Sequence, residues 1–351
     1  MHFSSLLGTI APRSGLALTY VASATSREVA LSMKTDDWGQ LWINGERALS
    51  TAGGVYATPW TDKRRLDAGK STFVSSVVNE LGGHYLELQI SDDPVDLARV
   101  EMNRGEWNTA EAHLTSALTA SPSVPDDYRL RGDARALTSR WLDAASDFDQ
   151  AASIRPDDPA DRIRAAYTRL AAEDHARARE LCRHLSAGPK LAETDPAFRD
   201  LHRLLAAVPG AISDGFPAIA DVEKAEASKE ALPMTGLHGA MLYRVGRLKA
   251  AAASLKHAID AEKGKASATT WAYYALALAK LREPQPRVRE TLDRAEALAK
   301  DERDALLDAA RRDSSRWMEL VALDSVLREA RAVQPPTSQE RRRPNPAALP
   351  R

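Results

Sequence analysis

Residues 105–122 read GEWNTAEAHLTSALTASP, and residues 139–156, 34 positions on, read SRWLDAASDFDQAASIRP. Trp107 recurs as Trp141, and Ala110 as Ala144 and Ala178. Leu114 recurs as Phe148 and Cys182, Ala117 as Ala151 and then Leu185, and Pro122 as Pro156. A fixed period of this length is the signature of a solenoid of helix–turn–helix units. No unit can bury its apolar face alone, so neighbours stack into one continuous core. The small positions let helices approach closely, and the bulky ones fill the space between hairpins. Pro122 and Pro156 end their helices because proline cannot continue the hydrogen-bond ladder.

Working outward, the first unit reads as a helix from about Pro94 to Asn103, a turn at Gly105, and a helix from about Thr109 to Ala120. Gly105 suits the left-handed residue that closes a helix. The second unit spans about 125–156 and the third about 159–187, with His175 at the aromatic position. Residues 93–187 therefore hold three hairpins. The period breaks over 188–231, where an apolar helix is predicted near Pro196–Val208. It returns with Gly239, Tyr243, Gly246, Ala251, Leu255 and Ala258. A fifth unit follows with Trp271, Tyr274, Leu292 and Ala295, where Pro284 stands in place of the turn glycine. A last amphipathic helix, about Ser314–Val333, carries Trp317, Leu320 and Leu327 and is expected to cap the array. These elements make residues 232–333 two hairpins plus a cap. The remaining segment, 334–351, is proline-rich with a basic run at Arg341, Arg342 and Arg343; it lacks the apolar content to pack and is expected to be disordered.

Residues 1–92 have a different period. Val29, Leu31 and Met33 alternate with smaller residues, as do Leu86, Leu88 and Ile90 with polar ones, so both stretches read as strands with one buried face. Asn44-Gly45 between apolar runs predicts a type I′ hairpin turn. Gly82-Gly83 reads as a second hairpin turn between 72–79 and 84–90. Short strands punctuated in this way predict an antiparallel β-sandwich, complete or partial. The fold class expected is thus multidomain: an antiparallel sandwich followed by an α-helical solenoid. Gly69-Lys70-Ser71 looks like the end of a phosphate-binding loop, but Arg64 stands where that motif needs glycine, and a strand rather than a helix should follow.

The whole chain has 351 residues, a formal net charge of −1 and one cysteine. Near-neutral charge gives no field directed at nucleic acid or a membrane, and a single cysteine leaves no internal disulfide framework. No run of 18 apolar residues predicts a membrane span. The start lacks the basic region and long apolar core of a secretory signal, so a cytoplasmic location is expected. Motifs for serine hydrolases, zinc proteases, dinucleotide binding and protein kinases are missing, so no catalytic residue, cofactor or metal is expected. Cys182, at a bulky core position, reads as a buried structural thiol.

The helical pattern resembles that of tetratricopeptide repeat (TPR) proteins, through turn glycine, aromatic, small, bulky, small and terminal proline. That resemblance implies a non-catalytic scaffold whose first helices line a groove for a partner protein or peptide. Carried onto this chain, the groove positions are Arg99, Arg129, Asp133, Tyr167, Tyr243 and Tyr273. The β region, through Thr35–Gly45 and Leu66–His84, resembles carbohydrate-binding-like sandwich domains. That likeness implies a competing glycan or calcium site at Asp36, Asp37 and Trp38, with Trp42 and Trp60 as further platform candidates. The combination also resembles the C-terminal regions of large bacterial signalling proteins such as kinases, which implies a regulatory role.

Overall fold

The computed structural model describes residues 13–35, 38–51, 60–79, 86–213, 216–227 and 236–333. Asp36, Asp37, Gly82-Gly83 and the 334–351 segment lie outside the described residues. The chain divides into two compact units, Met1–Ala134 and Arg135–Arg351.

Among the described residues the first unit opens with seven strands: β1 (Arg13–Ser23), β2 (Arg27–Thr35), β3 (Trp38–Ile43), β4 (Glu46–Thr51), β5 (Trp60–Leu66), β6 (Gly69–Asn79) and β7 (Leu86–Ser91). They form two antiparallel sheets, ordered β1-β6-β3-β4 and β5-β2-β7. Alternation aims Val29, Leu31 and Met33 of β2, Leu41 and Ile43 of β3, and Phe73 and Val77 of β6 into one shared apolar core. The β3–β4 turn is as expected, with Asn44 and Gly45 both at positive φ (51° and 85°). Gly69 begins β6, so a strand follows Lys70-Ser71 and no phosphate loop forms.

The expected second hairpin is corrected. β6 pairs with β1 and β3, whereas β7 pairs with β2 in the other sheet. β6 and β7 therefore lie in different sheets and are not neighbours. Period-two alternation marks a strand and says nothing of which strand it meets.

Helices α1 (Pro94–Arg104) and α2 (Trp107–Ala120) complete the first unit with the start of α3 (Pro125–Leu137). Asp93 caps α1 by accepting from Val95 N–H, and Gly105 closes it at φ 80°. Leu97 and Val100 of α1 pack on Ala30 of the three-stranded sheet. Beside them Glu101, buried, is held at 2.6 Å by Lys63 of β5. This hydrogen bond from Lys63 to Glu101 raises the lysine pKa.

The second unit continues with α4 (Trp141–Ile154), α5 (Pro159–Ala171), α6 (His175–Ala187), α7 (Pro196–Ala207), α8 (Pro217–Ala227), α9 (Leu237–Arg244), α10 (Leu248–Ala261), α11 (Ala268–Lys280), α12 (Gln285–Ala310) and α13 (Trp317–Ala332), the last preceded by a 3₁₀ turn. Hairpin partners pack as the period requires: α5 with α6, α9 with α10, α11 with α12. Ala144, Phe148, Ala151, Ala178 and Cys182, the recurring positions, are all fully buried. Gly239 has a steric reason: a β-carbon there would come within 2.6 Å of Leu255, so α9 and α10 approach as closely as they do only over glycine.

The turn that closes each first helix is left-handed throughout. Gly105, Ser139, Glu173, Gly246 and Arg282 all have positive φ. The fifth turn is therefore held by Arg282 at φ 59°, and Pro284 is the N-cap of α12.

Candidate partner-binding face

The last helix, expected as a terminal cap, reaches beyond the final hairpin. α13 does not only close the end of the array: it packs against α11 and α12 and also against α5 and α7, the first helices of earlier hairpins. Trp317, Met318, Val321, Ala322, Leu323, Val326, Leu327 and Ala330 are buried along it. Apolar residues at i, i+4 and i+5 around most of the helix circumference mean that it lies within the array rather than on it.

Its anchor is Trp317, 1% exposed. The ring stacks on Phe148 at 5.8 Å, lies 6.2 Å from Trp141, and meets Tyr167 edge-on at 6.3 Å. Such aromatic clusters combine large buried area with preferred ring geometry. Two polar ties follow, about half a turn and about three turns on. Glu319 sits 3.4 Å from Arg203 of α7 and 2.7 Å from Arg316. Glu329 accepts from Tyr243 Oη at 3.0 Å and pairs with Arg244 at 2.6 Å. At the rim, Arg328 pairs with Glu173, and Arg331 with Glu296.

Arg244 is the residue that sequence reasoning missed. Its side chain is 4% exposed. Its Nε donates to the Ala206 carbonyl at the C-terminal end of α7, and its plane lies 5.4 Å from both the Tyr243 and Tyr273 rings. A cation at the negative end of a helix, between two ring faces and against one carboxylate, is stabilised from every side. Its only mark in the sequence is that it follows Tyr243; its carboxylate lies 85 residues away.

The three tyrosines read as groove positions do sit on the face that meets α13, but they are not open anchors. Tyr167 is fully buried and donates to the Asp200 carbonyl at 3.2 Å. Tyr273 is buried and donates to Ala206 O at 2.8 Å. Tyr243 is buried beside Glu329. Burial raises the pKa of all three phenols. The chain's own last helix packs on the side where these three rings lie. In the first unit Arg99 is exposed on α1, Arg129 is half-buried near Asp126 at 3.6 Å, and Asp133 is buried.

Beside α13 lies a cavity of about 360 Å³, lined by Leu137, Trp141, Leu170, Leu307, Trp317 and Leu320 among others. Leu307 at its mouth is 46% exposed. The Arg303–Asp324 ion pair, at 2.5 Å, borders it.

Other candidate chemistry is inert in this arrangement. Cys182 is buried and its thiol is pushed up to about 12 by burial, so it holds no thiolate near neutral pH. His202 is buried against Phe198, whose carbonyl lies 2.6 Å from Nδ1. Among the described residues no group of three His, Cys, Asp or Glu could hold a metal ion, and no helix is long and apolar enough to cross a membrane. Trp38 is exposed and Trp42 half-buried.

No family model matches the chain, and no curated protein matches it. Solved structures similar to it include YrrB, a TPR protein with an unusual peptide-binding site, at 15% identity over 62% of this chain and 90% of that one, TM-score 0.34. A double mutant of MamA RS-1 is similar at 13% identity over 60% of this chain and 97% of that one, TM-score 0.36. The Cut9–Hcn1 assembly of the APC/C is similar at 15% identity over 71% of this chain and 47% of that chain, TM-score 0.39. At these scores the likeness says nothing of what this chain binds.

Proposed function

We propose that the chain is a non-catalytic protein-interaction scaffold whose helical-hairpin array receives an amphipathic helix of a partner. One observation carries this reading: the array already holds such a helix, α13, against the first helices of its hairpins, through an aromatic anchor at Trp317 and carboxylates at Glu319 and Glu329. A face that binds this chemistry from within the chain has the shape and charge to bind it from outside. The cavity beside Trp317 gives an incoming apolar side chain its first hold. In this reading the resident helix competes with the partner, and the partner's apparent affinity is reduced by the fraction of time the face is covered.

The test uses a labelled peptide of residues 314–333 and the full chain. Truncating Trp317 to alanine weakens the resident helix by about 3–5 kcal/mol. The wild-type peptide should then bind the Trp317→Ala chain at least about tenfold more tightly than the wild-type chain, each tenfold being about 1.4 kcal/mol. Equal binding to both, or binding to neither while both remain folded by circular dichroism, would sink the proposal.

A further inference from the structure

Among the described residues the four-stranded sheet has one edge and one face that nothing covers. Among the described residues β1 has β6 on one side and no strand on the other. Its register with β6 and β3 puts Leu16, Leu18 and Tyr20 on the same face as Val78 and Trp38. These five are exposed by 78, 58, 52, 39 and 46% respectively, while the remaining exposed large apolar side chains, Leu142, Ile154 and Leu307, are scattered over helices. A clustered apolar face on a sheet marks an interaction surface, where single exposed residues do not.

The edge itself is unguarded. Sheet edges are ordinarily blunted with charge or proline because their free N–H and C=O groups template further strands. Residues 14–26 contain neither, and the strand's one charge is Arg13 at its first position. The opposite edge of the same sheet, β4, begins with exposed Glu46 and Arg47. β5, at an edge of the other sheet, carries Lys63, Arg64 and Arg65. Among the described residues only β1 combines an open edge, eleven residues of length, a single charge confined to its first position and an exposed apolar row.

We propose that β1 is a homodimerisation strand, pairing antiparallel with β1 of a second copy about a two-fold axis at Leu18. Leu18 is the midpoint of Arg13–Ser23, so this register pairs the strand along its full length. It sets Leu18 opposite Leu18 of the second copy and Leu16 opposite its Tyr20. No like charges meet, because the strand's one charge, Arg13, falls opposite Ser23 of the second copy. Two-fold pairing consumes the edge on both copies, and the charged β4 edge stops growth at two. Apolar cross-strand pairs of this kind add to the hydrogen bonds of the ladder. The inference is independent of the helical face discussed above.

The experiment is sedimentation of the full chain from about 1 to about 100 µM, a range that brackets micromolar dissociation constants. Wild type should sediment as a dimer at the upper end. Leu18→Lys, an exposed position, should stay monomeric with unchanged circular dichroism. A Leu18→Cys variant adds the symmetric reporter: mild oxidation should give a disulfide-linked dimer, against a clean background because Cys182 is buried. A monomeric wild type overturns the proposal, as does a dimer indifferent to Leu18→Lys or open-ended assembly in place of a closed pair. A monomer retained through Trp38 on an oligosaccharide matrix would overturn it too and give the face to glycans.

Discussion

At the residue scale, two buried groups set measurable terms. His202 has its pKa lowered, chiefly by burial, against the opposing Phe198 carbonyl. A histidine held neutral in the fold favours folding above the unfolded pKa of about 6.5. As pH falls below that value the unfolded chain takes up a proton that the folded chain resists, so stability declines, by at most about 1.4 kcal/mol per pH unit. Urea midpoints at pH 7.5 and 5.5 should therefore fall further for wild type than for His202→Gln; an identical fall in both would refute the assignment. Arg244 is the second group. Arg244→Leu removes the charged partner of Glu329 and the guanidinium donor of the Ala206 and Ala207 carbonyls, leaving Glu329 and Ala206 O with their tyrosine donors, and should lower stability by about 3 kcal/mol. Glu329→Gln, at a side chain 28% exposed, should lower it by only about 1 kcal/mol. Denaturant titration of the two variants checks that order. Neither group stood out in the sequence, because burial is a product of packing and the carboxylate that meets Arg244 lies 85 residues away. Repeat register singled out Tyr167, Tyr243 and Tyr273 as groove positions, and in the structure all three are buried. That their side was already filled was not legible.

At the element scale the left-handed turns are the informative case. Glycine signals this conformation at Gly105 and Gly246, and there the turn was readable. Ser139, Glu173 and Arg282 adopt it with a side chain present, so the signal was silent and Pro284 drew attention instead. An L-residue in this region is strained by about 1–2 kcal/mol. Ser139→Gly should accordingly raise stability by about 0.5–1 kcal/mol after the added freedom of the unfolded chain is counted. A thermal midpoint unchanged or lowered would show that the turn is relieved by other means. The β6–β7 stretch shows the complementary limit. Period-two alternation located both strands, but strand pairing is a choice between partners of equal local quality, and only the shared core of the two sheets resolves it.

At the scale of the whole molecule, the 34-residue period made the helical array legible before any coordinate. A repeat specifies its neighbours by stacking, and each interface repeats the last. The period says nothing of a helix outside the repeat, and α13 is such a helix: its amphipathic stripe was visible in the sequence, its destination was not. That destination has a consequence in time. Synthesis runs from the N-terminus at about 5–20 residues per second, so α5, α7 and α11 leave the ribosome seconds before Trp317–Ala332 does. During that interval the side that will hold Trp317 is bare. Folding of the second unit is thus a two-act event, a provisional array first and a sealed one only when its final helix arrives. Every nascent copy passes through the open form once, and any helix already waiting in the surroundings meets the face before its permanent occupant has been made.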